Sequence, residues 1–262
     1  MGLHVTSDIR QLLHHCRNRI LLAGIELEGG WKAARHDVIR DGSVDIPPPI
    51  AVMMAADAYP QTAAQRALVQ AWNETRCRAI GELPSAPMKV PDVERWMKVN
   101  YPDEVNQTCG LHVHMSFRDG HYMRLMEKEF QDLFIALLEE WGAREIIPPD
   151  HHFWSRLRGE SEYCRLTFMP DQQVQLTRKL FDRRCPVNRY TALNYSWNTH
   201  GTLEVRVLPM FEVAEQSIRA VSEIFAIVNA YLVSSARKEK TLTSVVTIES
   251  SETGPKEISA CV

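Results

Sequence analysis

The chain is 262 residues long, 45% hydrophobic and 24% charged, with a formal net charge of −3 at pH 7. That is enough apolar material for one sizeable core, and acidic and basic residues are too evenly mixed for the basic stripe of a general nucleic-acid binder. The six cysteines, at 16, 77, 109, 164, 185 and 261, form no C-x-x-C pair and no framework spacing, which points to free thiols in a reducing, cytoplasmic setting rather than a disulfide scaffold.

The first residues stay polar through Arg19, so no secretory leader is expected. Ser7 to Arg19 reads as a short amphipathic helix: Ser7 and Asp8 offer capping oxygens, and Ile9, Leu12, Leu13 and Cys16 recur at helical spacing. From Ile20 to Gly30 the period switches to two. Ile25 and Leu27 face one way, Glu26 and Glu28 the other, and Gly29-Gly30 ends the run. His36 to Val44, carrying Asp41-Gly-Ser43, reads as a second strand. The prolines at 47–49 stop it, and the Ala-rich stretch Thr62 to Arg76 has helical composition, so 47–78 reads as a helical insertion. A short extended segment, Ile80 to Leu83, ends at Pro84 and Pro87. Pro91 to Asn100 reads as a helix with Val93, Trp96 and Met97 on its apolar face.

Leu111 to Phe117 alternates cleanly, with His112, His114 and Ser116 on one face. Met126 to Trp141 is a long helix whose Phe130, Leu133, Phe134, Leu137 and Leu138 face a core. Residues 148–164 read as an irregular loop rich in Pro, His and Arg. Strands are expected at Ala192 to Trp197 and Thr202 to Leu208, then a helix from Glu212 to Ser235. The apolar runs read as shorter than the ~20 residues that span a bilayer, so no membrane partner is expected. A single domain over 1–236 follows, with a disordered tail over 237–262 rich in Ser, Thr, Glu and Lys. Cys109, Trp72, Trp96 and Trp141 read as core. The doublets His14-His15 and His151-His152 are adjacent and do not converge on one ion in regular structure.

The informative feature is the polar face of three strands. Glu26 and Glu28, His112 and His114, and Glu204 and Arg206 each stand two residues apart. Any one pair reads equally well as a charged, solvated sheet face. Together they are the donors of a hard-cation site, carboxylates with imidazoles, beside an arginine suited to phosphate. Phosphoryl transfer needs that combination, because its catalysis is mostly positioning and charge stabilisation.

The motif order Gly24-Ile-Glu-Leu-Glu28, Asp41-Gly-Ser43, Gly81-Glu-Leu-Pro-Ser-Ala-Pro87, Cys109-Gly-Leu-His-Val-His-Met-Ser116, Arg189-Tyr-Thr-Ala-Leu-Asn194 and Gly201-Thr-Leu-Glu-Val-Arg206 resembles the amidoligase family. That family is itself similar to glutamine synthetase and the glutamate–cysteine ligases. The resemblance implies an α+β fold, a curved antiparallel sheet forming a funnel with helices packed on its outer face. It implies an ATP- and Mg2+- (or Mn2+-) dependent ligase that activates a carboxylate as an acyl phosphate and passes it to an amine. Glu26, Glu28 and Glu82 would hold one cation, and His112 and Glu204 a second. His114 and Ser116 would contact nucleotide, and Arg206 the transferring phosphoryl group. Arg189 would share that role or hold the substrate carboxylate. Homo-oligomers occur among such enzymes, and the resemblance leaves that open here.

Departures accompany the likeness. The 47–78 insertion makes the segment before Glu82 longer than the family pattern, and the stretch Ser155-Arg156-Leu-Arg158 matches only loosely. Arg156 reads either as a substrate contact or as a solvated loop arginine. Asp41 reads as a ligand, a base for the incoming amine's proton, or a turn residue. A zinc or manganese hydrolase, a phosphotransferase and an inactive binding module are the competing readings.

Overall fold

The computed structural model describes residues 19–117, 124–161, 164–166, 190–196 and 201–251. The expected helix over residues 7–18, and Arg189, lie outside them.

Among the described residues five strands form one open antiparallel sheet: β1 (Ile20–Trp31), β2 (Ala79–Pro84), β3 (Gly110–Phe117), β4 (Leu193–Ser196) and β5 (Thr202–Pro209), in the order β2-β1-β3-β5-β4. Among the described residues there are six helices: α1 (Ile50–Asp57), α2 (Ala63–Thr75), α3 (Val90–Asn100), α4 (Lys128–Arg144), α5 (His152–Leu157) and α6 (Ala214–Ser251). The fold is therefore α+β.

The period of two in β1, β3 and β5 sorts the two faces of the sheet. Ile25, Leu27, Leu111, Val113, Met115, Leu203 and Val205 are buried in one continuous core with Met97 of α3, Phe130 and Phe134 of α4, and Ile224 and Val228 of α6. Burying a side chain of this size contributes about 1.5–3 kcal/mol, so the apolar face sets the register and a one-residue slip is strongly disfavoured. The polar residues are carried to the opposite face by the same alternation. The register sets Glu26 opposite His112, Glu28 opposite Glu82, and Glu204 opposite both His114 and Asn194.

Several expectations are corrected. His36 to Val44 is not a strand: only Ile39 pairs, exchanging two 2.8 Å hydrogen bonds with Glu82 at the sheet edge. Two residues on, Asp41 Oδ1 accepts from Ser43 N and Oγ, both at 2.8 Å, and this turn ends the extension. The close pairing depends on Gly81, with φ 149°, whose added Cβ would lie 2.1 Å from Ile39 O. Residues 148–164 are not wholly irregular. Within them α5 forms because His151 Nδ1 caps Phe153 N at 3.1 Å and Phe153 packs edge-on against Trp141. The last helix, expected to end at Ser235, continues to Ser251. A helix nucleated on a packed first half extends cheaply through Ala236-Arg-Lys-Glu-Lys240, all good helix formers, before it reaches the Thr-, Ser- and Val-rich stretch.

The insertion supplies α1 and α2, the latter closed by a capping box between Thr62 and Gln65. Trp72 is not core: α2 buries no residue, and Arg76 sits 5.2 Å above the Trp72 ring. Residues Ala214–Ser234 of α6 reach membrane-spanning length and apolarity, longer than the sequence reading allowed. They are mostly buried in the fold, as in a core helix. Cys77, Cys109 and Cys164 are free and buried, and burial pushes the Cys109 thiol up, in keeping with a structural role.

Candidate metal centre

Adjacent positions of β1, β2, β3 and β5 bring seven predicted site residues onto one sheet face: Glu26, Glu28, Glu82, His112, His114, Glu204 and Arg206. Glu26 lies at the middle. Its Oε2 is 2.9 Å from His112 Nδ1 and its Oε1 is 2.9 Å from His114 Nε2. Burial works to raise the Glu26 carboxyl, but hydrogen bonds from both imidazoles hold it far below the ordinary carboxylate range. Burial likewise opposes a charged His114, and the Glu26 carboxylate overrides it and raises the imidazole.

Glu28 is held from the strand beside it. Gly110 N donates to Glu28 Oε2 at 2.5 Å, and His112 Nε2 stands 3.6 Å from Glu28 Oε1. Glu82 completes this end. Burial, then the charge of Glu26, pushes its carboxyl up to about 7. A carboxyl raised this way by acidic neighbours is one that a bound cation would return to its charged form.

At the other end, Glu204 has both oxygens engaged. Arg206 Nη1 donates to Oε1 and Asn194 Nδ2 donates to Oε2 at 2.6 Å. Burial works to raise this carboxyl, and the charges of Arg206, His112 and His114 bring it below its ordinary value. The Arg206 guanidinium lies 5.8 Å above the Tyr190 ring, and its buried Nε has no hydrogen-bond partner among the described residues.

Three overlapping donor groups result: Glu26, His114 and Glu204; Glu26, Glu82 and His112; Glu28, Asp41 and Glu82. Within each, one candidate donor atom per residue lies within 4.8 Å of the others. Carboxylate oxygens with single imidazoles suit Mg2+ or Mn2+, and two of the groups also suit zinc. The donor chemistry therefore fits a divalent cation.

The grouping differs from the expected one in a specific way. The β3–β5 register sets His114, not His112, opposite Glu204. His112 is grouped with Glu26 and Glu82 instead. Asp41 joins Glu28 and Glu82 while its Oδ1 closes the turn to Ser43. Ser116 lies on the face, but its Oγ accepts from Leu22 N at 3.2 Å and donates to Leu22 O at 3.3 Å, filling the ladder at a shift in register.

Arg156 is not a solvated loop arginine. It lies on α5, 4% exposed, with Nη1 donating to Arg206 O at 3.4 Å and Leu208 O at 3.3 Å. Burial pulls its guanidinium below the usual range. Its Nη1 also bounds the space over Gly110. A Cβ there would lie 2.9 Å from His112 Nε2, 3.1 Å from Glu28 Oε2 and 3.2 Å from Arg156 Nη1.

Sequence reasoning passed over Gly110 and Asn194 as functional positions. The strand alternation that found Glu204 also places Asn194 on the same face, but only the β4–β5 pairing makes them partners. Compared with family models, curated proteins and solved structures, the chain matches none.

Proposed function

We propose that this chain is an ATP- and divalent-cation-dependent ligase that joins a carboxylate to an amine, on a sheet related to the glutamine-synthetase funnel. The observation that carries the reading is the trio of overlapping carboxylate–imidazole groups on one sheet face, with Arg206 at its edge and Arg156 buried beside it. Glu26, Glu28, Glu82, Asp41, His112, His114 and Glu204 would hold Mg2+ or Mn2+, which neutralises phosphate charge when bound.

In the proposed reaction a substrate carboxylate oxygen attacks the γ-phosphorus of ATP and ADP leaves. The amine nitrogen then attacks the acyl carbon, phosphate leaves, and the nitrogen gives its proton to a base. Arg206 stabilises charge on the transferring phosphoryl group through a planar, permanently charged fork. Asp41, on the turn beside Glu28 and Glu82, is assigned as the base that takes the proton. Arg156 adds fixed positive charge from beneath β5, and Arg189 is assigned to the substrate carboxylate.

A thermal-melt series tests this. Mg2+ and ATP together should raise the melting temperature, by about 2.7 kcal/mol of stabilisation at a hundredfold excess over the dissociation constant, and Glu26→Gln should remove the shift. ADP release in the presence of carboxylate and amine pools then identifies the substrates. A second reading, a zinc or manganese hydrolase, rests on the two imidazoles, His112 and His114, that stand with carboxylates around Glu26. A zinc-only shift with no response to ATP would retire the ligase and turn the reading to the hydrolase.

A further inference from the structure

We infer that Asn194 is a positioning residue: its amide fixes the Glu204 carboxylate in the orientation that a divalent cation shared with Glu26 and His114 requires. The inference rests on the cation-centre part of the proposed function and is independent of the substrate.

Asn194 and Glu204 are register partners across β4 and β5, 6% and 5% exposed. Their 2.6 Å contact is buried. A carboxylate only accepts, so the amide must present its NH2 to Glu204 Oε2. The contact therefore adds direction without adding charge. Charge compensation at Glu204 already comes from Arg206 on the other oxygen.

The donor is itself held rigidly. The next residue, Tyr195, points into the core, where its hydroxyl donates to Leu125 O at 2.7 Å and accepts from Gln131 Nε2 at 3.1 Å. Alternation along β4 then turns Asn194 to the opposite face, toward Glu204. At the strand's start Thr191 Oγ1 donates to Leu193 O at 3.0 Å. An edge strand anchored on its core face thus delivers one neutral donor to one oxygen of a ligand carboxylate. Groups that orient a metal ligand in this way typically carry ~10–100-fold in metal affinity.

The test is a Mn2+ titration of the full chain followed by electron paramagnetic resonance, on wild type, Asn194→Leu, Glu204→Gln and the double variant. Asn194→Leu should weaken Mn2+ binding about tenfold or more. In the Glu204→Gln background it should add no further loss, because Asn194 acts through that carboxylate. Equal losses in both backgrounds, or none in either, would overturn the inference and leave the cation centre intact. If Asn194→Leu does not fold, Asn194→Ser, whose hydroxyl is too short to reach Glu204, replaces it with the same expectation, and wild-type affinity there overturns the inference. Absence of Mn2+ binding to the wild type, or unchanged affinity in Glu204→Gln, would overturn both the inference and the assignment of Glu204 as a ligand.

Discussion

Arg206 donates through Nη1 to Oε1 of Glu204, two positions earlier on β5, so an arginine guanidinium occupies one oxygen of a carboxylate that also belongs to a cation-binding group. A cation arriving beside Glu26 and His114 meets that guanidinium as a competitor. Removing it should tighten cation binding in the absence of nucleotide. A hydrogen bond to a charged group contributes ~1.5–3 kcal/mol, so Arg206→Gln is expected to raise Mn2+ affinity by about tenfold. The same variant should weaken ATP binding, because the fork assigned to phosphate is lost. Unchanged or weaker Mn2+ binding in a calorimetric titration would show that Arg206 and the cation do not compete.

At Gly110 the backbone itself lines the site. Its amide donates to Glu28 Oε2, and an added Cβ would lie 2.9 Å from His112 Nε2, nearer than side-chain carbons come to such atoms. Gly110→Ala should therefore push His112, Glu28 and Arg156 apart, while the apolar face of β3 keeps its packing. The expected outcome is a folded protein, destabilised by about 1–3 kcal/mol, with cation affinity lost out of proportion. Circular dichroism with a Mn2+ titration separates the two effects. Intact cation binding would mean that these three groups can move apart without cost.

Much of this centre was legible in the sequence because a half-buried strand writes its two faces as alternate letters. Glu26 and Glu28, His112 and His114, and Glu204 and Arg206 were all found that way, and the register joins them on one face. The partnerships were not legible. Register is a property of two strands together, so nothing in Leu111 to Phe117 alone says that His114 rather than His112 will face Glu204. Asp41 is brought in by a single pairing at Ile39, too short to leave a periodic signal. Arg156 sits on a helix of six residues, where neither period has room to show, and only packing against β5 reveals it as buried. The Gly81 backbone and the Asn194 amide are in the same position: each residue is visible, and its partner is not.

His152 gives the fold a measurable pH dependence away from the candidate ligands. Burial, then the charges of His151 and Arg156, pulls its imidazole down to about 4, from 6.5. Between those values the unfolded chain binds more protons than the folded one, so stability rises with pH across that interval. The contribution is complete above 6.5 and is lost as pH falls toward 4. The variant His152→Gln stays neutral throughout and should lack this slope. The wild type is expected to lose on the order of 1 kcal/mol relative to the variant between neutral pH and pH ~4, once solvent screening of the half-buried ring is discounted. Denaturant melts of both proteins at several pH values check it. Parallel curves would show that His152 titrates in the folded state much as it does in the unfolded one.

The three donor groups share members unevenly, and that unevenness predicts how binding should come apart. Glu26 belongs to two of them and Glu82 to two, whereas Asp41 and Glu204 each belong to one, at opposite ends of the face. Asp41→Asn should therefore weaken cation binding beside Glu28 and Glu82 and spare the group at Glu204. Glu204→Gln should do the reverse. Glu26→Gln removes the carboxylate that both imidazoles contact, so it should weaken binding in the two groups that include it. Because carboxylates can bridge two ions, loss of a shared ligand should also reduce any cooperativity between them, whereas loss of an end ligand should not. Mn2+ titrations of the three variants measure this directly. A common loss in Asp41→Asn and Glu204→Gln would mean that the face holds one cation site rather than several, with Glu26 at its centre and the end carboxylates serving only to tune its charge.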